Sequence, residues 1–329
     1  MVHLVRRLVL GVAVLFVLSF ASFCFFASRG DTYPTGRPVL TEYWTWLKGL
    51  FNGDSLQRLT QPVPTTLNHQ PTTMLEAVGH TALLLGGALV LVTLLSVAIA
   101  VAAATTRGSA LDLLLRCFTY LAWAMPAFLL ALVVQRVFYA LGDSFGFGPF
   151  PLAGWPGSCP AGLGIDAGTL PNCPSAGSGL RYGVNLARYM TLPILTLAIG
   201  FVGLHARYLR SALIGTLDAP FITTARAKGL SERRIVLRHA LRASLVTFVA
   251  VLLADFGAIF GAAMAVDWIF ELNGLGTVLV SEFPISSPSP TDTYSVQLVL
   301  LLTGGLVLLT SYLSEFAVGW LDPRMRVEK

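Results

Sequence analysis

The stretch FITTARAKGLSERRIVLRHAL, from Phe221 to Leu241, concentrates positive charge in a chain that carries little charge elsewhere. Arg226, Lys228, Arg233, Arg234 and Arg238 fall within it, His239 sits among them, Arg242 follows and Arg210 lies just upstream. Clustered guanidinium and ammonium groups bind anions: phosphates, acidic lipid headgroups or a partner's acidic surface. They do not by themselves make or break bonds. Side chains that do are sparse here. The dipeptide Gly-Lys never occurs, which removes the phosphate-cradling loop of nucleotide-hydrolysing enzymes. There is no H-E-x-x-H pair, no G-x-S-x-G elbow and no paired-carboxylate constellation of a catalytic kind within one predicted loop. The histidines are scattered, and the four cysteines have no histidine at ligand spacing. Neither a catalytic site, a metal centre nor a cofactor is expected.

What must position the basic stretch is a membrane. Of the 329 residues, 55% are apolar and 12% charged, whereas soluble domains average about 25% charged. A formal charge of +5 would suit nucleic acid, but the basic residues cluster at the ends of apolar runs. That is the positive-inside arrangement, so the expected partner is the lipid bilayer and not nucleic acid. About 20 apolar residues cross a hydrocarbon core roughly 30 Å thick. Six runs qualify: Leu8–Ala27, Thr81–Thr106, a third between Arg116 and Arg136 with Pro126 as a kink, Tyr189–Leu204 with Pro193 near its start, Ala243–Val266 and Ser295–Ser314. The fold class is therefore an all-α polytopic membrane protein with six transmembrane helices. With the amino terminus inside, 15 of the 22 Lys and Arg face the cytoplasm, while the outer segment Asp267–Tyr294 has none and holds four acids. A multi-pass protein of the cell (cytoplasmic) membrane follows, with both termini cytoplasmic. The rival reading of Met1–Ala27 is a cleaved signal peptide, but its apolar run exceeds the roughly 7–15 residues of such a signal.

Along the chain, residues 1–30 read as an N-terminal transmembrane helix and 31–75 as an extracytoplasmic segment with the amphipathic stretch LTEYWTWLKGLF. Residues 76–320 form a core of five transmembrane helices containing a basic loop at 211–242, and 321–329 a cytoplasmic tail. Cys159 and Cys173 both lie outside, where disulfides persist. A bridge between them would contribute about 3 kcal/mol and is preferred over the bland alternative of two free thiols. Cys24 and Cys117 fall within spans and behave as small apolar residues. Asp255 falls in the middle of the fifth span, where a charge either lines a polar path or bonds a neighbouring helix. Glu315 and His80 sit at span ends, as interfacial groups do.

The basic loop has a legible grammar. Asp218 or Ala219 starts a helix with Pro220 in its first turn, where a missing N–H costs little. Gly229, after a lysine, fits the left-handed position that ends a helix. Ser231 caps a second helix whose positive end Glu232 complements, and that helix runs on into the fifth span. Positive-inside bias alone, anionic lipid and a docked partner all account for the charge. The order Ala-x-Ala-x-Gly-Leu argues for docking, because small alanines permit a close helix contact whereas lipid attraction needs only charge.

ARAKGLSERRIVLRHAL resembles the E-A-A loop motif of the permease subunits of binding-protein-dependent ATP-binding-cassette (ABC) importers, in the wording of the dipeptide, oligopeptide and nickel branch. RPVLTEYWTWLKGLFNGD, AMPAFLLAL, TLPILTLAIG, DWIFELNGLGTVLV and LDPRMR resemble further segments of that branch, so the similarity covers nearly the whole chain. The departures are Thr223–Thr224 in place of the motif's glutamate, Asp267 where the branch usually has Glu, drift after Gly53–Asp54, and an inserted loop holding Cys159 and Cys173. The resemblance implies the type I ABC importer permease fold. It implies a coupling helix of Thr223, Thr224, Ala225, Arg226, Ala227 and Lys228 seated on a separate ATPase subunit, with Gly229 setting the turn and Arg233 to Arg238 bracing the elbow. Implied partners are a second permease subunit in a heterodimer, two ATP-binding subunits and an extracytoplasmic solute-binding protein. Hydrolysis then belongs to the partners, the chain is not an enzyme, and the cargo is a peptide or a related small solute such as nickel, a glutathione-like compound or haem. The alternative is a self-contained secondary transporter or channel, a class that shows inverted repeats and several ionisable residues at depth. The sequence displays no internal repeat and essentially one midplane acid.

Overall fold

The computed structural model describes residues 2–27, 38–51, 60, 62–63, 72–145, 150–156, 179–281 and 293–321. Two helices come first, α1 (Val2–Ala27) and α2 (Val39–Phe51), then a two-stranded antiparallel ribbon, β1 (Pro62–Val63) with β2 (Thr72–Thr73). The rest is helical: α3 (Met74–Thr105), α4 (Ala110–Ala124), α5 (Ala127–Phe145), α6 (Leu180–Leu217), α7 (Pro220–Ala227), α8 (Glu232–Ala254), α9 (Phe256–Ile269), α10 (Leu275–Ser281) and α11 (Thr293–Leu321). In lipid a helix satisfies its own backbone, which is why apolar runs fold this way. Among the described residues, four helices are long and apolar enough to cross a bilayer: α3, α6, α8 and the Val296–Ser314 part of α11. The pair α4 and α5 makes a fifth if counted as one span. The described apolar run of α1, Val9–Phe25, and α9 are shorter.

Three expected spans take different shapes. The kink at Pro126 is a break: α4 and the Ala127–Leu141 part of α5 meet at 101°. Pro126 has no N–H to give and drives Met125 into an extended conformation, φ −91° and ψ 124°. The short span Tyr189–Leu204 is the middle of a 38-residue helix that passes through Pro193. The span Ala243–Val266 instead begins at Glu232 and stops at Asp255, and α9 resumes at Phe256. Asp255 therefore stands at an interruption between helices, not in the middle of one.

The chain divides into two compact units. One comprises Met1–Leu84, Phe138–Thr191 and Ala263–Leu308. Within it the stretch LTEYWTWLKGLF forms α2, whose Tyr43 and Trp46 pack on Phe20 and Phe23 of α1 while the Tyr43 hydroxyl donates to Ser19 Oγ at 3.3 Å. In the same unit the Asp267 carboxylate is buried and accepts the backbone N–H groups of Gly274 at 3.0 Å and Thr277 at 2.9 Å. Thr81 Oγ1 accepts from Leu275 at 2.8 Å, so the opening turn of α10 is capped by side chains remote in sequence. That gives DWIFELNGLGTVLV a physical sense: its acid closes a helix start seven to ten residues later. His80 is more than interfacial. Its Nδ1 donates to the Asn273 carbonyl at 3.1 Å and its ring stacks on Trp155, centroids 3.6 Å apart.

The other unit comprises Leu85–Val137, Leu192–Ala262 and Leu309–Lys329. Here α6 can continue through two arginines because α4 answers each of them. Gly203, Arg207 and Arg210 share one helical face. At Gly203 the two backbones come so close that a Cβ would strike the Thr119 carbonyl oxygen. The Arg207 guanidinium lies 4.6 Å from the Tyr120 ring centroid and 5.2 Å from that of Trp123. Arg210 grips the buried Asp112 with Nε at 3.1 Å and Nη2 at 3.0 Å, and Asp112 also accepts the Gly108 N–H at 3.1 Å. Elsewhere in this unit Ser314 Oγ of α11 donates to the Ala250 carbonyl of α8 at 2.9 Å.

Candidate functional site

The basic stretch folds as an elbow of two helices. Ala219 is the N-cap of α7 and Pro220 its first residue, where the sequence grammar places the start of the helix. At the other end Lys228 is the C-cap and Gly229 has φ +78°. The Gly229 N–H donates to the Arg226 carbonyl at 2.9 Å and the Leu230 N–H to the Ala225 carbonyl at 3.3 Å. These two bonds are a Schellman motif, and Leu230 adds the apolar contact that accompanies it. No atom lies within 4 Å of where a Cβ on Gly229 would point, so the backbone angle and not crowding selects glycine. Ser231 is the N-cap of α8, but its side chain makes no capping bond. Glu232 turns back instead and accepts from Arg226 Nε at 2.7 Å and Nη2 at 3.3 Å, clamping the two helices together. That bond pushes the Arg226 guanidinium further above its ordinary range.

The elbow is seated by an apolar cluster. Ile222 and Ala225 of α7, with Ile235 and Ala240 of α8, pack on Ala104 of α3 and Leu213 of α6. Residues Ile235–Ala240 form a π-helical stretch within α8. Its i→i+5 bonding lets Ile235, Val236 and Ala240 all be buried, where five α-helical residues would carry Ala240 roughly 140° away from Ile235. Next to the cluster, Ser244 Oγ lies 3.1 Å from Thr216 Oγ1 of α6. A pocket of about 540 Å³ opens beside this seat, with Val101, Leu217 and Val236 among its apolar lining and Arg226, Glu232 and Arg233 on its polar side.

The seat decides which side chains remain available. Of the residues singled out from sequence, Ala225 faces the cluster while Thr223, Thr224, Arg226, Ala227, Lys228, Gly229 and Arg233 are exposed. Phe221, which the sequence reading passed over, is 50% exposed on the same helix. Its signal is an aromatic one residue into a short polar helix. A second omission is His205 of α6, wholly buried, whose Nε2 lies 3.5 Å from Asp255 Oδ2. No local motif links two residues so far apart in sequence. Cys159 and Cys173 lie outside the described residues, as does the side chain of Glu315. Among the described residues no three His, Cys, Asp or Glu side chains gather as metal ligands would.

Comparison with known proteins adds to this geometry. Residues 95–327 match the family described as "Binding-protein-dependent transport system inner membrane component". The oligopeptide transport system permease protein OppB of Mycobacterium bovis is 30% identical over 296 residues, 88% of this chain and 82% of that protein. OppB of Haemophilus influenzae is 28% identical over 299 residues, 89% of this chain and 83% of its own. The dipeptide transport system permease protein DppB of Bacillus subtilis is 33% identical over 146 residues, 43% of this chain and 44% of its own.

Proposed function

The chain belongs to the family of binding-protein-dependent transport system inner membrane components, as a permease of the peptide branch of ABC importers, and from that premise we propose that it moves peptides across the cytoplasmic membrane under the drive of separate ATPase subunits, coupled through residues 211–242. It is a multi-pass membrane protein and a transport component, not an enzyme. Six spans with both termini in the cytoplasm complete the proposal, on the strength of the positive-inside asymmetry. A permease of a binding-protein-dependent system works with a solute-binding protein and an ATPase. The proposed assembly is a heterodimer with a second permease, two ATP-binding subunits, and a binding protein that delivers cargo from outside.

One observation carries the coupling reading: α7 exposes Phe221, Thr223, Thr224 and Lys228 while Ile222 and Ala225 anchor it to α3 and α6. An ATPase cleft that holds the exposed face and moves on nucleotide closure displaces α7. The buried face leaves no slack, because interiors are close-packed, so the ends of α3, α6 and α8 move with it. Cysteine at position 224 is expected to crosslink to the ATPase subunit within the assembled importer. The purified chain alone in liposomes is expected to be inert toward peptide. Uptake by the lone chain, without a nucleotide-hydrolysing companion, overturns the reading.

A further inference from the structure

The interruption of the long helix at Asp255 brings a carboxylate beside an imidazole with unused bonding capacity. His205 is fully buried on α6, against Phe201 and against Phe248 of α8. Its Nδ1 lies 2.9 Å from the Phe201 carbonyl oxygen, an atom that only accepts, so Nδ1 carries the hydrogen. Nε2 then faces Asp255 Oδ2 at 3.5 Å and makes no hydrogen bond. A neutral imidazole presents a lone pair there, and an ionised carboxylate presents another. Two acceptors confront each other at the end of a membrane helix, where an unmatched buried acceptor and an unpaired charge are both costly. One proton shared between them, or a cationic donor with more than one N–H, supplies what both lack. Asp255 is one-third exposed, so such a group has a way in from its side.

We propose that Asp255 and His205 together receive an ammonium group and that, given the peptide reading above on which this rests, the group is the charged amino terminus of a peptide in transit. An ammonium ion offers three hydrogens. One makes a charge-assisted bond to Asp255 Oδ2 and another satisfies His205 Nε2. An acetylated amine brings one neutral donor and no charge, so it serves neither atom as well. The place suits the role, since ionisable side chains within membrane segments mark substrate paths. A lysine side chain carries the same ammonium chemistry and is the other source.

The test uses the complete importer in proteoliposomes, with its second permease, ATPase subunits and binding protein. Uptake of a tripeptide with a free amino terminus is compared with uptake of its N-acetylated form, each at a concentration saturating the binding protein. The comparison is made in the wild type and in Asp255→Asn, a near-isosteric change. Because one binding protein serves both variants, its own preference cancels from the ratio of ratios. Asp255→Asn is expected to lower free-amine uptake on the order of tenfold or more and leave the acetylated peptide unchanged. His205→Leu is expected to act in the same direction, with ATP hydrolysis by each complex reporting assembly. An N-acetylated peptide with an internal lysine that also loses uptake extends the site to side-chain ammonium groups and supports it. Equal loss of both tripeptides makes the pair a structural tie and overturns the inference, as does no loss of either. A wild-type importer that moves no peptide at all overturns the peptide reading first and this inference with it.

Discussion

Gly229 is the residue on which the elbow turns. At φ +78° an L-residue pays about 1–2 kcal/mol, and with no atom near its Cβ direction that strain is the whole penalty for alanine. A β-branched residue is worse, because two heavy atoms on Cβ crowd the same backbone. Gly229→Ala is therefore expected to lower thermal stability slightly, and Gly229→Val to abolish uptake with membrane insertion intact. Uptake assays alongside quantification of the inserted protein check both, and normal uptake by the valine variant counts against coupling through the elbow. This residue is legible in sequence because its reason is local: a helix has to end, and the N-cap of the next stands two residues later. The Arg210–Asp112 pair is not legible in that way. The two lie 98 residues apart, and nothing near either names the other. The Arg226–Glu232 clamp lies between these cases, close in sequence yet visible only once both helix directions are known.

At the level of elements, the apolar seat makes α7, the start of α8 and the nearby ends of α3 and α6 one packed body. The hydroxyl pair Thr216–Ser244, 3.1 Å apart, bridges α6 and α8 inside that body. A disulfide introduced by Thr216→Cys with Ser244→Cys is expected to form under oxidation and leave peptide uptake within about twofold of the reduced protein. Uptake that stops on oxidation and returns with reductant means that α6 and α8 slide past each other during transport. The run lengths of the apolar segments reveal where most of these helices lie. They miss how far α6 extends, because its arginines look like an end until α4 supplies Asp112, Tyr120 and Trp123 as partners. They miss the Asp255 interruption for a related reason: one acid in an apolar run carries no signal of whether the helix yields to it.

For the whole molecule, the charge asymmetry argues for one orientation, with 211–242 inside and the cysteine-bearing segment outside. In sealed right-side-out vesicles a membrane-impermeant thiol reagent is expected to label Cys159 and Cys173 only after reduction. Full labelling without reductant removes the bridge, and labelling confined to inverted vesicles reverses the orientation. The overall class is the most legible feature of the chain, because lipid imposes it on composition: with 12% charged residues there is too little polarity to cover a soluble globule. The pairing of distant polar residues is the least legible, because apolar runs dominate the pattern and each polar contact is made by geometry alone.

The π-helical stretch at Ile235–Ala240 carries a further consequence. Its buried positions fall at i, i+1 and i+5, and removing one residue between them restores i, i+1 and i+4, the spacing of an ordinary amphipathic helix. The segment thus reads as a regular helix into which a single amino acid has been spliced, with Leu237 extruded to 45% exposure. Deleting Leu237 is expected to be tolerated in folding, whereas deleting Leu253 from the regular part of the same helix rotates everything beyond it by about 100° and is not. Accumulation of the two shortened proteins in the membrane decides the matter.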